Sequence, residues 1–150
     1  MIPQRDAEAQ REEAAGAMAT KQDYAGDEYP LQELTDAIIA AAVDVHRALG
    51  PGFLEKIYEN ALTMELESRG HRVERQTSFS IEYRGKLIGK HQADMIVDGE
   101  VVVELKSVER LAATHSAQLR STLKAAGRRV GLLMNFNQST LVAGLRRIIN

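Results

Sequence analysis

The sequence predicts an α/β (α+β) domain in which a mixed central sheet is flanked by helices. Three observations point there. Apolar residues recur at helical spacing through two segments between residues 31 and 69. Three β-patterned runs follow between 73 and 106, punctuated by Arg84-Gly85 and Asp98-Gly99. A helical stretch then leads into Val130-Gly131-Leu132-Leu133-Met134-Asn135-Phe136, a short apolar run of the kind that lies buried in a sheet. Helices and strands mixed in a chain of one-domain length pack as layers around one core.

Residues 1–30 are rich in Ala, Glu, Gln and Asp and hold few large apolar side chains, so they bury little. They read as a mobile acidic tail, with a transient helix near 7–19. The domain spans 31–150. Leu34, Ile38, Ala41, Ala42, Val45 and Leu49 form the stripe of a first helix, which Gly50-Pro51-Gly52 ends. A second helix over 53–69 carries Leu54, Ile57, Tyr58, Ala61, Leu62, Glu65 and Leu66 as a broad stripe, and Gly70 stops it. Strands are expected at 73–83, 86–97 and 101–106. A third helix over 112–126 ends at Gly127. The 130–136 strand follows, and residues 141–149 close the chain as a short helix or strand, of which the helix is favoured. The order is α-α-β-β-β-α-β-α.

With 150 residues and no Cys, the chain has neither disulfides nor thiolate ligands, and any metal must take oxygen or imidazole donors. No segment approaches the ~20 apolar residues of a membrane span, and the N-terminus shows no signal pattern. These features point to a soluble protein of the cytoplasm. The net charge of −2 hides an asymmetry. Residues 1–33 hold three basic and eight acidic residues, and the remainder 16 basic and 13 acidic. After Lys106, seven basic residues, among them Arg120, Lys124 and Arg128, face Glu109 alone. A polyanionic partner fits that bias.

The chemistry concentrates in Ala93-Asp94-Met95-Ile96-Val97-Asp98-Gly99-Glu100-Val101-Val102-Val103-Glu104-Leu105-Lys106. Strand alternation places Glu104 and Lys106 on one face and Leu105 on the other. A carboxylate and an ammonium at the end of a buried Val run are costly without partners, and a metal ion between Asp94 and Glu104 would compensate. That needs both acids on one face. A two-residue turn at Asp98-Gly99 would put Asp94 on the wrong side. A bulged three-residue loop, Val97-Asp98-Gly99, pairs Ile96 with Glu100 and Asp94 with Val102, and restores the face. Two carboxylates at close range suit Mg²⁺, with Mn²⁺ as a substitute, which keeps waters and leaves room for phosphate oxygens. Glu55, early in the second helix, is the third candidate acid; a helix N-terminal acid needs no such role. Among the histidines, His46 is expected to serve the helix C-terminus and His115 to be solvated or capping. His91 should point away from Asp94. Tyr58 is expected to pack in the core with its hydroxyl bonded near the site.

Gly52-Phe53-Leu54-Glu55-Lys56-Ile57-Tyr58 has the form G-x-x-E-x-x-Y. Together with Gln92-Ala93-Asp94, Glu104-Leu105-Lys106, Ala117-Gln118-Leu119 and Gly131-Leu132-Leu133-Met134-Asn135-Phe136, in that order, it resembles the GxxExxY protein family. That family looks like a branch of the PD-(D/E)xK nucleases. The resemblance implies a restriction-endonuclease-like αβββαβ core in which Asp94, Glu104 and the Leu105 carbonyl hold Mg²⁺. Glu55 would complete the site, Lys106 would assist the attacking water, and Gln118 would be the glutamine of exonuclease-like branches. Ala93 stands where the signature has Pro, and Thr122 where those branches have an aromatic. The implied activity is a metal-dependent nuclease acting on nucleic acid, above all DNA, with a homodimer compatible but marked by no residue. Two rivals stand beside it: an inactive module of the same fold that binds nucleic acid or a protein, and a metal-free core with a structural Glu104–Lys106 pair.

Overall fold

A computed structural model describes residues 30–150; apart from Pro30, the tail expected over 1–30 lies outside them. The elements are α1 (Gln32–Leu49), α2 (Glu55–Ser68), β1 (Val73–Tyr83), β2 (Lys86–Val97), β3 (Val101–Lys106), α3 (Ala113–Ala126), β4 (Val130–Asn135) and β5 (Leu145–Ile149). The sheet runs in the order β1-β2-β3-β4-β5. All neighbours are antiparallel except β3 and β4, which are parallel and joined through α3. A parallel pair needs a long crossover, and the helix supplies it.

β3 is buried on both faces, as its Val-Val-Val run requires. Val101, Val103 and Leu105 pack with Ile38, Tyr58 and Leu62 of α1 and α2. Val102 packs on the other side with Leu119 and Leu123 of α3. Gly131 lets α3 approach closely, because a Cβ there would stand 2.9 Å from Leu119 Cδ1.

Two expectations are corrected. Residues 141–149 do not form a helix; a 3-10 turn at Val142–Gly144 leads into β5, paired with β4. Nine residues make a marginal helix, whereas the open edge of β4 offers a ready ladder of backbone partners. The β2–β3 loop is Asp98-Gly99-Glu100 rather than Val97-Asp98-Gly99, pairing Val97 with Val101 and Ile96 with Val102. Asp98 and Gly99 both take left-handed φ, 51° and 69°, and Glu100 N–H donates to the Val97 carbonyl at 3.0 Å. Asp98 explains the shift: its carboxylate accepts from the Arg72 N–H at 2.8 Å and pairs with His71 Nδ1 at 2.7 Å, drawing that residue into the loop. The slip is two residues, so the paired residues Met95–Val97 and Val101–Val103 keep their faces.

Candidate active site

The site forms where the sheet parts. The β2–β3 ladder ends at Met95–Val103, while β3 stays paired to β4 as far as Lys106–Asn135. In place of the missing backbone partner, Asp94 Oδ2 accepts the Leu105 N–H at 2.9 Å. Strand alternation fails at the same residue. Ala93 and Ile96, three apart, both lie in the cluster under α3, whereas Met95 lies in the opposite one. The neighbouring strand shows the cause: Gln76, flanked by the Arg75–Met95 and Thr77–Ala93 pairs, has φ 49°. A non-glycine residue in that region inside a strand is held by its surroundings. Gln76 Nε2 donates to Glu59 Oε1 at 2.5 Å.

Glu59, on α2, is the buried anchor of that arrangement. Its Oε2 also accepts from Arg75 Nη2 at 2.5 Å and Lys56 Nζ at 3.0 Å. Burial opposes its ionisation, but the donors around it prevail and hold the carboxyl below its ordinary range. Glu59 and Gln76 were not singled out in the sequence. A glutamate three and seven residues before Leu62 and Leu66 of the α2 stripe was the available signal for the first; a strand-interior φ reversal leaves none for the second.

Asp94 and Glu104 do come together. Burial pushes the Glu104 carboxyl up to about 8, and the Asp94 charge and a hydrogen bond shared with Asp94 push in the same direction; the Lys106 ammonium opposes them. Glu104 Oε1 is buried with no hydrogen-bond partner. Two crowded carboxyls, one of them lacking a donor, suit a hard divalent cation, which replaces a shared proton with two charges. Leu105 and Asp94 line a cleft of about 170 Å³ with Glu55, Lys56, Glu59 and Gln76. Glu55 therefore shares the cleft, where its Oε1 receives the Ser107 N–H at 3.4 Å. It does not close a triad: among the described residues no three His, Cys, Asp or Glu side chains are grouped to hold a metal. Mg²⁺ tolerates that, since it binds through one or two carboxylates and keeps its waters.

A family model described as the PD-(D/E)XK nuclease superfamily matches residues 32–148. The chain belongs to the PD-(D/E)XK nuclease superfamily. Its five-stranded mixed sheet flanked by helices agrees with the restriction-endonuclease-like fold. Nucleases of this superfamily generally use divalent metals. The chain finds no significant match among curated proteins or among solved structures.

The other residues around the site fall as follows. Tyr58 is fully buried and stacks on Phe136 at 4.5 Å between ring centroids. Its hydroxyl donates to the Gly50 carbonyl at 2.6 Å and accepts the Phe53 N–H at 3.1 Å. The G-x-x-E-x-x-Y spacing thus has a local meaning: Tyr58 ties down the loop that delivers Glu55. Ser107 completes the tie, its Oγ donating to the Phe53 carbonyl at 2.6 Å. Asn135, part of the Gly131–Phe136 motif but given no role from sequence, is buried and holds the chain after Lys106, donating to the Val108 carbonyl at 2.8 Å and accepting the Val108 N–H at 3.0 Å.

Gln118 lies on the exposed face of α3, its carbonyl accepting the Thr122 hydroxyl at 3.0 Å. Thr122 also meets His91 Nε2 at 2.6 Å, which confirms that His91 points towards α3. His115 caps α3, Nδ1 accepting the Ala112 N–H at 2.9 Å. His46 departs from expectation. It is buried and its Nε2 donates to the Gln138 carbonyl at 2.8 Å, so it ties a distant loop to α1 and does not serve the helix end. Burial lowers its pKa, against the pull of the carbonyls of Gln138 and Phe136. No helix among the described residues is long and apolar enough to cross a membrane.

Proposed function

We propose that this protein is a Mg²⁺-dependent nuclease of the GxxExxY type that hydrolyses phosphodiester bonds in DNA. The observation that carries the reading is the Asp94–Glu104 carboxyl pair at the parting of β2 and β3, with Lys106 acting on it. Asp94, Glu104 and the Leu105 carbonyl would hold the ion, and Glu55 would reach it through water from the same cleft. When bound, the ion offsets the two carboxylates and the charge gathering on the scissile phosphate, and it acidifies water. Lys106 orients the attacking water and stabilises charge on the phosphoryl oxygens. The Tyr58–Gly50 bond and the Ser107–Phe53 bond keep Glu55 and Lys106 in fixed relation. Gln118 would steady the substrate strand from α3. A cytoplasmic setting belongs to this reading, supported by a chain without Cys.

The test is cleavage of single- and double-stranded DNA with and without Mg²⁺ or Mn²⁺, comparing the parent with Asp94→Ala and Glu104→Ala. Parent activity that requires the ion, and that both substitutions abolish, is expected. Equal activity in all three proteins refutes the assignment. A second reading has one observation in its favour, the absence of a three-carboxylate group among the described residues. In that reading the fold binds nucleic acid, or a protein, without turnover. It requires salt-sensitive binding and, by calorimetry, no Mg²⁺ uptake that depends on Asp94.

A further inference from the structure

The outer half of the β1–β2 hairpin has no part in the core. Lys86 to Lys90 are exposed without interruption, and the turn is made by Arg84 and Gly85 with φ 51° and 75°. Between Tyr83 and Lys90 the chain carries three cations and no acid. Leu87 and Ile88 are 60 % and 64 % exposed at its tip. They are consecutive, which strand alternation would send to opposite faces, but the register shifts there: Ile81 pairs with Gly89 and Glu82 with Leu87, leaving Ile88 as the extra residue of a bulge. Bulges re-aim side chains, and two large apolar groups at a solvated tip are an interaction feature rather than a packing one.

The arm also points back to the cleft. His91 and Ala93 face α3, so Lys90 and Gln92 project from the other side of β2. Lys90 precedes Asp94 by four residues, about 13 Å along a strand. A cation at that distance from the carboxyl pair meets a backbone phosphate about four nucleotides along the duplex axis from the one at the site. Apolar side chains flanked by Lys and Arg are how proteins enter the minor groove and part a base step.

We infer that the tip of this hairpin grips duplex DNA, with Arg84, Lys86 and Lys90 on phosphates and Leu87 and Ile88 wedged in the minor groove. The inference rests on the nuclease reading for its substrate class. An apolar tip alone would fit a protein equally well, and three cations at the tip against one acid, Glu82 opposite Leu87, favour a polyanion.

Binding of a labelled 20-base-pair duplex by the full chain, read by fluorescence anisotropy in EDTA across a salt series, tests it apart from cleavage. Leu87→Ser with Ile88→Ser is expected to weaken binding tenfold or more with the salt slope unchanged. Lys86→Ala with Lys90→Ala is expected to lower the slope by about two. These substitutions are on exposed positions, and the second pair reports even if the first perturbs the hairpin. The inference is overturned if the parent does not bind duplex, or if both pairs bind within twofold of it. It is also overturned if sedimentation shows the Leu87/Ile88 pair converting a dimer to a monomer with DNA affinity intact. A parent that binds through this tip yet cleaves nothing with Mg²⁺ sinks the nuclease reading and leaves the grip standing.

Discussion

Glu104→Gln should make the metal-free protein more stable at alkaline pH, and the size of the effect follows from the site. The Glu104 carboxyl titrates near 8 when folded and at its ordinary 4.5 when unfolded. Between those values the unfolded chain has released a proton that the folded chain still holds, so stability falls as pH rises through the window. Each pH step there costs up to ~1.4 kcal/mol, or on the order of 5 kcal/mol across the whole window. Below about pH 4.5 the contribution is fully present; above about 8 it is gone. Glutamine mimics the protonated acid, a neutral group of the same shape that donates to Asp94, and it does not titrate. Urea unfolding followed by circular dichroism at pH 5, 6.5 and 8 in EDTA checks this. The parent should lose several kcal/mol relative to Glu104→Gln between the first and last. Mg²⁺ at pH 8 should restore the parent, since binding only the folded state stabilises it, and calorimetry near neutral pH should record close to one proton released per ion. Parallel pH profiles for the two proteins would refute the picture of a carboxyl pair holding a proton in place of a cation.

Two other substitutions probe the supports. Tyr58→Phe strands the Gly50 carbonyl and the Phe53 N–H, which should cost about 1–3 kcal/mol by urea unfolding and slow cleavage tenfold or more by loosening Glu55; unchanged stability would show that the loop is held by other means. Gly144→Ala places a Cβ 2.3 Å from the Asn135 carbonyl oxygen, so β5 must shift at a cost of about 1–3 kcal/mol or more; a neutral result by the same measurement would mean β5 docks less closely than the geometry requires.

The sequence by itself determined the elements that local pattern controls. Strand bounds at 73–83, 86–97 and 101–106 follow from β-patterned and continuous apolar runs closed by Arg84-Gly85 and Asp98-Gly99, and the observed strands have those bounds. The Asp94 and Glu104-x-Lys106 signal was also legible, because charge at the end of a Val run is anomalous whatever the fold. Tertiary structure decided the rest. Residues 145–149 became a strand because β4 had an edge to fill, and the loop register followed the pull of His71 and Arg72 on Asp98, contacts 26 and 27 residues apart. Most of all, the surroundings of the Asp94–Glu104 pair include a positive-φ residue in a different strand, Gln76, held by Glu59 in a helix. No window of sequence contains those three elements together, since only the closed sheet makes them neighbours.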